Sequence, residues 1–389
     1  MTHKSLALAA LLLAGSAAPP ALAQGAAQLT KVAGFAHQVT GITASRDGRL
    51  FVNFPRWSED APVSVAELKD GKPVPYPDEG WNSWRNAKAD ELSPKDHFVC
   101  VQSVVADAQD RLWVVDAAAP AMAQVIKDGP KLVGIDLKTN TVIKTIPFDA
   151  SVALQGSYLN DVRISPDGKT AYLTDSGAEG ALIVVDLDGG SAKRLLAGDP
   201  STMPDKSVTV AYDGKPLRRP DGRGVSFAAD GIALSPDGKT LYWQAIKGRT
   251  LYSLPTDALT GWAASSLVPE TLSDKSLSGK VARVGENGVA DGLLITRRDG
   301  RMIVTSPQDD SVKVRDLSKA DAPLTTLVKD PQLRWPDTLS EGPDGTLYVT
   351  TSHIQDSADY KPGAPVSLPT ELWAIKPGAD ATGSTGPTR

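Results

Sequence analysis

"YLNDVRISPDGKTAYLTDS" (residues 158–176) and "ADGIALSPDGKTLYWQ" (residues 229–244) write one pattern twice. A polar residue precedes a short apolar strand, Ser-Pro-Asp-Gly-Lys-Thr follows, and an apolar strand returns. Glycine accepts positive φ and aspartate bonds its own backbone, so the chain reverses at Asp-Gly. The return strands carry Tyr172 and Tyr242, aromatic residues that suit a packed sheet face.

Four looser copies extend the pattern: "VTGITASRDGRLFVNF" (39–54), "VQSVVADAQDRLWVVD" (101–116), "ADGLLITRRDGRMIVT" (290–305) and "PDTLSEGPDGTLYVTT" (336–351). The turn aspartates are Asp47, Asp110, Asp167, Asp237, Asp299 and Asp344, all read as structural. Third strands follow in several copies, as in "ALIVVDL" (181–187) and "SVKVRDL" (311–317). A unit of about 60 residues with three or four strands is a propeller blade. Six such units predict an all-β, six-bladed β-propeller over residues 24–376. A β-sandwich array is the alternative.

The flanks read differently. Residues 1–23 hold Lys4, an apolar run from Leu6 and a closing Ala21-Leu22-Ala23, the pattern of a cleavable signal peptide. This predicts a periplasmic or secreted protein. The apolar run is too short to span a bilayer, and no later stretch is long enough, so no membrane span is expected. The "PGADATGSTGPTR" tail (377–389) reads as disordered. The formal charge of −5 argues against nucleic acid as a partner. A single cysteine, Cys100, leaves no internal disulfide and lies in an apolar run that predicts a buried, inert thiol. Residues 55–98 and 198–228 exceed the repeat and predict long, function-bearing connections. Residues 265–286 could hold a turn or two of helix.

In a propeller the innermost strand of each blade lines the central channel. Aligning the copies by their turns puts Thr40, Gln102 or Ser103, Asn160, Asp230, Asp291 and Asp337 at the heads of these strands. Asp161 follows Asn160 directly. Three carboxylates and an amide at one axis repel unless a cation, protons or donors offset them. Oxygen ligands of this kind suit calcium or another divalent cation, with Asn160 and Asp230 as the candidate metal ligands. The competing reading makes the same residues turn caps that bond nearby backbone N–H groups. His37, His97 and His353 lack zinc-ligand spacing. No nucleotide or organic-cofactor motif occurs. Trp113 and Trp243 read as core. Trp57, Trp81, Trp84 and Trp335 lie in or beside loops and could form an aromatic rim that stacks on a flat ligand.

"FVNFPRW" (51–57), "PYPDEGWN" (75–82), "VQSVVADAQDRLWVVDAA" (101–118), "YLNDVRISPDGKTAYLTDSGAEGALIVVDL" (158–187) and "WPDTLSEGPDGTLYVTTS" (335–352) together resemble the major royal jelly protein/Yellow family, in its bacterial, dopachrome-tautomerase-related form. The resemblance implies a six-bladed propeller, export, and a small-molecule site at the channel mouth. A more distant likeness is to the gluconolactonase/senescence-marker propellers. It places Asn160 and Asp230 on metal-ligand positions, but Thr40-Gly41-Ile42 stands where that family has its ligand Glu.

Three functions follow. The first is binding, with tautomerisation, of a small molecule, aromatic ones included, with Thr40, Gln102, Ser103, Asn160, Asp337 and Trp335 forming the ligand site. The second is a divalent-metal lactonase with Asp230 and Asp291 as catalytic carboxylates. The third is a periplasmic interaction scaffold. The sequence leaves the oligomeric state open.

Overall fold

The computed structural model describes residues 27–57, 59–260, 274–319, 321–361, 363 and 367–376. The signal peptide and the C-terminal tail lie outside the described residues. The described residues form six four-stranded sheets and one two-stranded hairpin, with antiparallel pairing throughout. Five sheets follow chain order from the inside outwards. The sixth is completed by the first strand, Gln28–Phe35, which pairs with Thr370–Lys376. The two ends of the propeller are thus closed on each other by a strand rather than a disulfide.

The six inner strands are Ile42–Ala44, Val101–Ala106, Leu159–Ile164, Ala229–Leu234, Leu293–Ile295 and Pro336–Glu341. Each touches the next, and the sixth touches the first, so the ring is closed. Faces of adjacent blades bury large side chains against each other. Trp113, Leu132, Leu159, Leu173 and Ile183 fill the space between blades two and three. Tyr172, Ile232, Leu241 and Trp243 do the same between blades three and four. This packing supplies the stability that a disulfide-free chain needs.

The hairpin turns behave as their sequence predicts. Ser165 Oγ bonds Asp167 at 2.5 Å and Ser235 Oγ bonds Asp237 at 2.6 Å, with Gly168 and Gly238 at positive φ. Blade two departs from the pattern. Asp110 itself takes the positive-φ position (φ 56°), and Asp107 does the bonding that Ser165 does elsewhere.

Four inner strands carry a bulge at their heads. Opposite the second strand, Gln102, Asp230 and one residue each within 160–161 and 337–338 are extra. A bulge re-aims the side chains around it. Here it turns successive residues of a strand towards the axis, which strict alternation would forbid.

The long connection expected at 55–98 is shorter than its composition suggested. Val65–Lys69 and Lys72–Pro75 within it are the outer strands of blade one. Prolines at Pro73 and Pro75 are tolerated because that strand is an edge. The 198–228 segment is a true connection that carries the small hairpin Ala211–Tyr212 with Lys215–Pro216. The helix expected within 265–286 is present as Asp274–Ser278, followed by the outer strand Ala282–Glu286 of blade four. None of the helices among the described residues is long and apolar enough to cross a membrane.

Candidate functional site at the channel mouth

The four bulged strand heads and the unbulged head of blade five bring Gln102, Asn160, Asp230, Asp291 and Asp337 to one cavity. Asp161 sits beside it, close enough for its charge to act on Asp230, Asp291 and Asp337. Two glycines permit this crowding. A Cβ on Gly231 would stand 2.0 Å from the Asp291 carbonyl oxygen, and one on Gly292 would stand 2.1 Å from that of Asp337. Each Asp-Gly at a strand head therefore lets the next blade's acid come close. These glycines serve close approach rather than a turn.

Asp230 and Asp291 lie within hydrogen-bonding reach of each other. Asp291 Oδ2 also accepts the Trp335 indole N–H at 2.7 Å. Asp337 Oδ1 accepts the Thr338 hydroxyl at 3.1 Å. Burial drives Asp230 well above the ordinary carboxylate range, and the charges of Asp291, Asp161 and Asp337 push it further. Burial also raises Asp291, to about 7, although the bonds from Trp335 and Asp230 oppose the rise. Asp337 is raised well above its usual value by burial and by Asp291. Burial raises Asp161 too, against the pull of Arg163 at 3.8 Å. Four buried carboxyls facing one guanidinium cannot all ionise near neutral pH. They hold protons and titrate as a group.

Asn160 Nδ2 faces Ser176 Oγ at 3.4 Å, and Gln102 Oε1 accepts the Tyr158 hydroxyl at 3.0 Å. The Tyr158 phenol also accepts the Trp57 indole N–H. Burial keeps that phenol neutral, its pKa well above the ordinary value. Cys100 lies 3.9 Å from the same hydroxyl, and burial pushes its thiol up to about 12, so it is an inert thiol.

Three expected ligand-binding residues lie outside the cavity wall. Thr40 does not line the cavity. Its hydroxyl accepts from Asn53 at 2.9 Å and donates to the Gln102 carbonyl at 3.3 Å, and its carbonyl accepts from Thr350. It ties blades one, two and six together. Trp335 is no rim aromatic: it is fully buried and points its N–H at Asp291. Ser103 is buried beside Asp161 rather than in the cavity wall. Of the other loop tryptophans, Trp84 is fully buried, and Trp81 packs on Phe98 at 5.0 Å. Only Trp57 reaches the cavity, where Met122 and Phe227 join it as half-buried rim side chains. Tyr158 and Phe227 were missed by the strand alignment because they lie two and three residues ahead of the strand-head residues.

The cavity leaves about 20 Å³ for the centre of a water molecule, room for about one. Its donors are all oxygen and would suit a hard cation. Asn160 and Asp230 face this one cavity. Yet no three His, Cys, Asp or Glu side chains among the described residues are arranged to hold a metal ion. Asp291 is already engaged by Trp335 and Asp230. Asn160 and Asp230 are the residues that would hold a cation there.

The sequence model described as "Major royal jelly protein" matches residues 99–362. The chain belongs to the major royal jelly protein family. Among the curated members of that family, major royal jelly protein 5 of Apis mellifera is 26% identical over 262 residues, 62% of this chain and 40% of that one. Major royal jelly protein 1 of Apis mellifera is 29% identical over 224 residues, 54% of this chain and 48% of that one. The matches therefore span less than half the length of either relative. Dopaminechrome tautomerase of Drosophila melanogaster is 28% identical over 124 residues, 30% of this chain and 26% of that one. Among solved structures, a gluconolactonase of Xanthomonas campestris superposes with a TM-score of 0.51 at 16% identity, covering 91% of this chain and 90% of that one. Regucalcin of Agrobacterium tumefaciens, a calcium-binding protein, gives 0.50 at 16%, covering 91% and 95%. At such identities the likeness shows the propeller fold of this royal jelly family member and nothing about its chemistry.

Proposed function

We propose that the protein is a proton-transferring isomerase, a tautomerase, acting outside the cytoplasm on a small ring compound at the acidic channel mouth. The observation that carries the reading is the buried Asp230–Asp291 pair, two carboxyls in contact, with Asp291 raised by burial to about 7 and Asp230 raised well above the ordinary carboxylate range. Asp230, in its protonated form, donates a proton to a carbonyl oxygen of the substrate. Asp291 as carboxylate removes a proton from a ring carbon. One C–H is lost and one O–H is gained, so no oxidant or reductant is needed. The Trp335 N–H bonds the carboxylate form and keeps Asp291 available as the base. Tyr158 and Gln102 offer a polar wall, and Trp57 and Phe227 an aromatic one, for a flat ring. The cavity as it stands holds about one water. Binding therefore requires the half-buried Trp57, Met122 and Phe227 side chains to swing aside. The partial similarity to a dopaminechrome tautomerase supports the choice of an aminochrome as first substrate.

The test follows the loss of the visible absorbance of an aminochrome prepared from dopamine. Wild-type protein is expected to accelerate it, and Asp230→Asn and Asp291→Asn to abolish the acceleration. Wild-type turnover no faster than buffer between pH 5 and 9 would sink the reading. Thermal shift with Ca²⁺ against EDTA, run on the same samples, tests the divalent-metal alternative.

A further inference from the structure

The channel has a second end with the opposite charge. Asp161 and Arg163 are two residues apart on the strand Leu159–Ile164, so they share its inner face. Asp161 faces the carboxyl group, and Arg163 lies one step further along. Its guanidinium donates to the Leu293 carbonyl of blade five at 2.7 Å and to the Val162 carbonyl at 2.7 Å. Arg163 thereby reaches from blade three to blade five and walls off the acidic mouth from the far one.

Beyond Arg163 the channel opens into a funnel of about 590 Å³, ringed by the hairpin-turn ends of the inner strands. Its walls are apolar, with Val105, Ile164, Leu234 and Ile295 among them, and three arginines line it: Arg46, Arg163 and Arg297. Asp107 is the carboxylate in the wall itself, while the turn aspartates Asp167, Asp237 and Asp344 follow the wall prolines at the rim and are held by Ser165, Ser235 and Thr346. Asp107 in the wall is engaged by Arg111 at 2.7 Å and by the Trp113 N–H at 2.8 Å. Arg297 faces Glu341 at 3.5 Å, and Arg163 faces Asp161 at 3.8 Å. Arg46 donates to the Ala108 carbonyl, and no ion-pair partner for it occurs among the described residues. Three guanidinium groups and one already engaged carboxylate thus line an apolar funnel.

We propose that this funnel is a binding site for an amphipathic organic anion, a monocarboxylate with a short apolar body. The planar guanidinium groups match a carboxylate head. The aliphatic walls cover the body, and the volume lies in the range of small-molecule sites. The acidic mouth, with room for about one water, is too small for the same ligand. The site is separate from the proposed isomerase centre and does not rest on it.

Calorimetric titration with sodium octanoate, and with octan-1-ol as the uncharged analogue, tests the proposal. Octanoate is expected to bind at one site, to bind about tenfold more tightly than octanol, and to weaken with added NaCl. Arg46→Glu replaces an exposed side chain and should keep the wild-type melting temperature, while Arg297→Gln gives up bonds to the Glu341 and Gly342 carbonyls and should lower it slightly. Each is expected to weaken octanoate by about fivefold or more. Equal affinity for octanoate and octanol, or unchanged octanoate affinity in both variants, overturns the proposal. Arg46→Glu should retain aminochrome turnover, so the funnel and the tautomerase reading fail in separate assays.

Discussion

The Trp335 indole N–H donates to Asp291 Oδ2 across 2.7 Å, joining the head of blade six to the head of blade five. Trp335 sits at φ 51°, a left-handed conformation that a bulky residue rarely adopts. It is fully buried, and its carbonyl accepts the Ser352 N–H at 3.2 Å. The surrounding packing holds a costly backbone state where a donor is aimed at an acid.

Trp335→Phe keeps most of the ring and removes the donor. The Trp335 bond opposes the rise of Asp291, so its loss should move that carboxyl above its value of about 7. A carboxyl ¹³C NMR titration reads the change. An unmoved Asp291 would show that the indole does not hold it.

Stability should depend on pH through the same group. The folded pKa values of Asp230, Asp291 and Asp337 lie above the unfolded value of 3.8. Their stabilising contribution is complete below that unfolded value and is lost as pH rises through the folded ones. For Asp291 the loss runs from about pH 4 to about 7. The melting temperature should therefore fall by a few degrees between pH 5 and 8. Asp230→Asn, neutral at every pH, should flatten that slope and raise the melting temperature at pH 8. A wild-type melting temperature that climbs across this window contradicts the assignment.

The hairpin repeat made the fold legible, because Asp-Gly turns and aromatic return strands recur in one dimension. The convergence of Asn160, Asp230, Asp291 and Asp337 was legible for the same reason. Thr40 and Trp335 were misjudged because their roles depend on neighbours far along the chain: Gln102 and Thr350 for the first, Asp291 for the second. The bulges at 160–161 and 337–338 have no sequence mark, so the inward turn of Asp161 beside Asn160 could not be read. Gly231 and Gly292 carry no sequence mark that their work is to admit the next blade's carbonyl.

Asp175 is a second residue that the pattern hid, at the end of the strand Thr170–Asp175. It accepts the Tyr158 and Gly177 N–H groups at 2.8 and 2.9 Å and the Arg194 guanidinium at 2.6 Å, all in the interior. Asp116 does the same in blade two, with Lys131 at 2.7 Å. Asp175→Ala leaves a buried guanidinium and two backbone donors without that carboxylate. Urea unfolding should show a loss of about 3 kcal/mol or more. Asp237→Ala, at an exposed turn, should cost far less. Equal losses would mean that Asp175 acts only as a turn cap.

Gly231 links packing to chemistry most directly. Its backbone is not at positive φ, so the demand is for space alone. A methyl group there meets the Asp291 carbonyl oxygen at 2.0 Å and Leu293 Cγ at 3.0 Å. The backbone of blade five must retreat, taking Asp291 with it. Gly231→Ala should cost about 1–3 kcal/mol, the range for overpacked sites. It should also lose most aminochrome turnover, since the Asp230–Asp291 contact is what the glycine permits. Gly224→Ala is the control: its nearest neighbour would be the Leu217 carbonyl at 3.6 Å, an ordinary contact. That change should stay within about 0.5 kcal/mol and leave turnover intact. A Gly231→Ala protein that melts and turns over like the control would show that blade five is not set by this contact.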